Sequence, residues 1–87
     1  MRLLLVEDES RVASFIARGL EDAGYTTDVV GRGNDALALV RGGAQWDLVL
    51  LDVGLPDLDG FDLLVEIRKN DQTTPIIMLT ARGDVSS

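Results

Sequence analysis

Three apolar runs in this chain each stop at a polar residue, and no other feature constrains the fold as much. Leu3-Leu4-Leu5-Val6 runs into Glu7-Asp8, Leu48-Val49-Leu50-Leu51 into Asp52, and Ile76-Ile77-Met78-Leu79 into Thr80. Continuous Val/Leu/Ile runs of this length are what strands buried on both faces of a parallel sheet look like. Parallel strands laid side by side bring whatever follows them to one end of the sheet. Open α/β sheets bind ligands in the crevice at that end, where the strand order reverses. The runs therefore predict an acidic pocket, with a hydroxyl nearby, suited to a hard cation and phosphate chemistry.

Between the runs the apolar period becomes helical. Ser10 is a candidate N-cap, and Val12, Phe15, Ile16 and Leu20 recur at helical spacing until Asp22-Ala23-Gly24, with the Phe15, Ile16 and Leu20 face expected in the core. Tyr25 to Val30 predicts a second strand at a sheet edge, and Gly31 to Asp35 a turn. Ala36, Leu37, Leu39 and Val40 predict a short helix ended by Gly42-Gly43, and Trp46 is expected to be a packing residue. After Asp52 a turn-rich loop, Val53 to Gly60, leads to a third helix with Asp59 as N-cap and Phe61, Leu64, Val65 and Ile67 as its apolar stripe. Asn70 to Thr74 forms a polar loop, and Pro75 opens the last strand, where a missing amide is harmless. The tail from Ala81 to Ser87 has no apolar periodicity. Strands alternating with helices imply βαβ units and right-handed crossovers.

Composition narrows the chemistry. Eighty-seven residues fit one domain with a thin core. The net charge of −7 and the scattered basic residues argue against direct contact with a nucleic-acid backbone. Cysteine and histidine are absent, which excludes disulfides, thiolate nucleophiles, the common zinc sites and histidine general bases, and leaves oxygen chemistry. The apolar start is too short for a signal peptide and no run approaches membrane-spanning length, so a cytoplasmic protein without membrane contact is expected.

Taken as an ordered set, these residues carry a resemblance. A strand followed by Glu7-Asp8, a strand followed by Asp52, the loop Gly54-Leu55-Pro56-Asp57-Leu58-Asp59-Gly60 and the segment Pro75-Ile76-Ile77-Met78-Leu79-Thr80-Ala81 resemble the receiver domain of two-component response regulators. The wording of the last two segments is similar to receivers of the winged-helix (OmpR/PhoB-like) transcription-factor class. The resemblance implies an α/β, flavodoxin-like (CheY-like), doubly wound parallel sheet in the order 2-1-3-4-5. Receivers also carry fourth and fifth helices, a fifth strand ending in a lysine, and an aromatic switch residue. The chain stops before those positions, so residues 1–87 are expected to be a receiver domain incomplete at its C-terminus, with about four strands and three helices.

On this resemblance Asp52 is the phosphoacceptor, since a carboxylate can attack a phosphoryl group when the charges are offset. Glu7, Asp8, Asp52 and the Gly54 backbone carbonyl would hold Mg2+, which takes oxygen ligands and keeps several waters. The Thr80 hydroxyl would bond the phosphoryl oxygens and carry the switch, and Ala81 would leave room for the phosphoryl group. A sensor histidine kinase is the implied phosphoryl donor. The parent would control transcription through a DNA-binding domain outside this chain, and the chain itself would not be an enzyme. Two alternatives stand beside this reading. One is a Mg2+-dependent phosphatase of the haloacid dehalogenase type, which wants a second acid where this chain has Gly54. The other is a non-phosphorylated interaction module. Finally, Ile76 to Leu79 with nothing beside it is an apolar edge, so the chain is expected to self-associate there as a dimer or swapped oligomer.

Overall fold

The computed structural model describes residues 1–79. Along the chain lie β1 (Arg2–Val6), α1 (Ser10–Asp22), β2 (Thr26–Val30), α2 (Gly33–Arg41), β3 (Leu48–Asp52), α3 (Gly60–Asn70) and β4 (Ile76–Leu79). The four strands pair in parallel in the order β2-β1-β3-β4, so the sheet grows outward in both directions from the adjacent pair β1 and β3. This is the expected flavodoxin-like, doubly wound arrangement over four strands and three helices. Among the described residues no helix is long and apolar enough to cross a membrane.

Strand alternation splits the core in two. Leu4 and Val6 of β1 and Val49 and Leu51 of β3 face Ala36, Leu37 and Val40 of α2 and Leu63 and Ile67 of α3. Leu3, Leu5 and Leu50 face Ala13 of α1 on the other side. Burial on both faces explains the unbroken apolar runs of β1 and β3. β2, at the edge, is only partly covered, as its weaker alternation predicted. Trp46 is buried beside β2 and donates its indole N–H to Asp28, which also accepts from Arg2 Nε. At the end of α1, Gly24 adopts φ +97°, and the amides of Gly24 and Tyr25 close back on the carbonyls of Glu21 and Leu20. That left-handed cap turns the chain into β2.

Several helix assignments need correction. Phe15 is 80% exposed and Val12 is also exposed, while Ala13 is the buried residue of α1 and Ile16 and Leu20 only flank the core. Ser10 is the first helical residue rather than the N-cap, and Glu9, at that position, makes no side-chain cap. α2 begins at Gly33, within the stretch read as a turn. In α3 the buried positions are Gly60, Leu63 and Ile67, and Phe61 and Val65 face out.

Candidate functional site

Register decides where the acids meet. Val6 lies opposite Leu51 on one side and Val30 on the other, so β1 and β3 end together. The residues that follow them, Glu7, Asp8 and the last residue of β3, Asp52, come to one spot beyond the carboxyl ends of the strands. There each offers a carboxylate oxygen, and the three oxygens lie within 4.8 Å of one another. The spot sits between β1 and β3, the point at which the strand order reverses.

Glu7 is the inner member, 8% exposed, with its amide bonded to the Val30 carbonyl at 3.0 Å. Burial raises its carboxyl above the ordinary value. The Glu9 amide, donating to Oε2 at 3.1 Å, opposes that rise, and the charges of Asp52 and Asp8 add to it. Asp8 is exposed and Asp52 half-buried. All the donors are oxygens, one is open to solvent, and the cluster holds mutually repelling negative charge, so these residues fit a hard divalent cation that retains waters.

The loop after Asp52 is shaped around this cluster. Gly54 donates its amide to Asp52 Oδ1 at 3.2 Å, which leaves the other carboxylate oxygen outside that bond. Gly60, the first residue of α3, presses against the backbone at the end of β3. A Cβ there would stand 2.7 Å from both the Asp52 carbonyl oxygen and Val53 Cα. Gly60 also donates its amide to Val53 O at 3.1 Å. The helix can start this close to the site only because residue 60 has no side chain. Asp59 caps α3 as expected, its Oδ1 accepting from the amides of Phe61 and Asp62.

The structure thus brings together Glu7, Asp8 and Asp52 and places Gly54 next to Asp52. Thr80 and Ala81 lie outside the described residues. In the sequence Asp57 stands only as a member of the loop Gly54 to Gly60. Its carboxylate reaches across to the first amides of α2, Gly33 N at 2.8 Å and Asn34 N at 3.0 Å. The available signal was that Arg32, just ahead of α2, cannot cap it.

An open, doubly wound parallel sheet with an oxygen-only acidic cluster at its topological switch point is an arrangement suited to a hard cation. The chain matches the model of the response regulator receiver domain over residues 3–87 and belongs to that family. It is 45% identical over 86 residues to the transcriptional regulatory protein TcrA of Mycobacterium tuberculosis, covering 99% of this chain and 34% of that protein. It is 36% identical to the transcriptional regulatory protein CusR of Escherichia coli, covering 98% of this chain and 37% of that one. The chain therefore spans about a third of the length of the curated relatives it matches. Among solved structures it resembles the response regulator TrrA of Thermotoga maritima in complex with Mg2+ and BeF, with 34% identity and a TM-score of 0.85 over 97% of this chain and 76% of that one. The chain is a receiver domain of the kind found in transcriptional response regulators, and the phosphatase alternative is not favoured.

Proposed function

We propose that Asp52 accepts a phosphoryl group, with Mg2+ held by Glu7, Asp8, Asp52 and the Gly54 carbonyl. The observation that carries this is the convergence of three carboxylate oxygens within 4.8 Å at the switch point of a receiver fold. Bound there, Mg2+ would supply the positive charge that offsets the carboxylates against an incoming phosphoryl group. An Asp52 oxygen attacks phosphorus, a P–O bond forms, and the bond to the donor breaks with its electron pair leaving on the donor atom. Gly54 N–H holds the other oxygen, and so the orientation of the nucleophile. Thr80 and Ala81 keep the roles that the resemblance implies, bonding and making room for the phosphoryl oxygens. A histidine kinase is the proposed donor and a DNA-binding domain elsewhere in the parent the proposed output, in line with the names of TcrA and CusR. A parent acting on transcription places the domain in the cytoplasm, as an acceptor that does not turn over substrate. Residues 1–87 act in this reading as one receiver unit, and its β4 edge, the last in the described sheet order, pairs with a second copy.

The phosphoacceptor reading is tested with acetyl phosphate and Mg2+ followed by intact mass spectrometry. One added phosphoryl group is expected on the wild-type chain and none on Asp52→Asn. Label retained in Asp52→Asn would reject Asp52 as the acceptor, and an unlabelled wild-type chain would favour a silent interaction module.

A further inference from the structure

Helix α2 has no cap of its own. Arg32 stands at its N-cap position and makes no side-chain cap. The first amides of a helix need acceptors, and a carboxylate placed there gains from the helix dipole as well. Asp57 supplies that carboxylate from 24 residues further along the chain. Oδ1 accepts from Gly33 N at 2.8 Å, Oδ2 accepts from Asn34 N at 3.0 Å, and Arg32 Nε lies 3.9 Å from Oδ2. The Asp57 side chain is 9% exposed. The Asn34 amide above all, then Gly33 and the Arg32 charge, hold its carboxyl below the usual carboxylate range against the opposing effect of burial.

Asp57 belongs to the loop that carries Gly54. That loop is tied down at both ends, by Gly54 N to Asp52 Oδ1 at the end of β3 and by Gly60 N to Val53 O just beyond it. Between those ties Leu55 and Leu58 rest on the core, and Gly54 and Pro56 are exposed. Apolar contact sets depth and not direction, whereas two hydrogen bonds accepted by one carboxylate from two fixed amides set both. We propose that Asp57 is a positioning residue for the cation pocket: it braces the Asp52 to Gly60 loop on the N-terminus of α2 and so holds Gly54 beside Asp52. The proposal rests on the Mg2+ reading above. Residues one shell outside a metal's ligands commonly govern its affinity, so loss of the brace should be felt as weaker cation binding.

The test is calorimetric Mg2+ titration of the wild-type chain, Asp57→Ala and Asp52→Asn, with circular dichroism to establish folding. Asp57→Ala should bind Mg2+ roughly tenfold more weakly while remaining folded. A second measurement needs only the wild-type chain. Coupling is reciprocal, so Mg2+ should slow amide exchange at Gly33 and Asn34, whose amides donate to Asp57 and not to a proposed ligand. Unchanged affinity in a folded Asp57→Ala, or unchanged exchange at both amides on Mg2+ binding, overturns the proposal and leaves the Mg2+ reading standing. If the wild-type chain binds no Mg2+, or Asp52→Asn binds it equally well, the Mg2+ reading fails and the proposal with it.

Discussion

At the scale of single residues, aspartates do most of the local organising, each by a different geometry. Asp59 caps the helix it precedes, Asp57 caps a helix remote in sequence, and Asp71 closes the turn after α3. Asp71 accepts from the amides of Thr73 and Thr74 at 3.0 and 3.1 Å and from both threonine hydroxyls. The Thr74 hydroxyl first, then the two amides, lower its carboxyl from 3.8 to about 2. A lowered folded value means that the ionised group stabilises the fold above the unfolded value, and that this contribution disappears as pH falls through the folded one. Asp71→Ala should therefore cost about 1 kcal/mol at neutral pH, after allowance for solvent screening. Urea unfolding at a series of pH values should show the gap narrowing as pH falls from 3.8 toward about 2. A gap independent of pH would mean that the turn, and not the charge, carries the effect.

At the scale of elements, the sequence located each helix and read the buried face of α2 in Ala36, Leu37 and Val40, but misjudged the faces of α1 and α3. The stripe expected for α3 was Phe61, Leu64, Val65 and Ile67, and the buried set is Gly60, Leu63 and Ile67. The phase is set at the first residue, because Gly60 must lie against the Asp52 and Val53 backbone. Positions three and seven residues later then point inward. Leu63→Ala should cost about 3 kcal/mol, as a fully buried leucine does. Phe61→Ala should cost less than about 0.5 kcal/mol, since Phe61 is exposed. Denaturant midpoints of the two variants check this, and a larger loss for Phe61 would restore the phase read from the sequence. Phe15 teaches the same lesson in α1. Helical periodicity cannot tell a core face from an apolar face that the described residues leave uncovered.

At the scale of the whole molecule, β4 ends the described sheet, and Ile77 on it is 50% exposed. An apolar edge with unpaired backbone groups is a template for another strand. Light scattering on a size-exclusion column should find the 87-residue chain associated at tens of micromolar, and Ile77→Lys, a charge on that edge, should shift it toward monomer. A stable wild-type monomer would show that the edge is covered. The sequence by itself determined the strands, their parallel pairing, the lack of histidine and cysteine donors and the acids at the strand ends, because composition, buried runs and strand-end residues can be read along the chain. Tertiary structure alone decided the register that brings Glu7, Asp8 and Asp52 within reach of one another, the close start of α3 on Gly60, and the service of Asp57 to α2. Those depend on which backbone lies beside which: the strand ends announce an acidic pocket but not its register, and no local pattern pairs Asp57 with an amide 24 positions away.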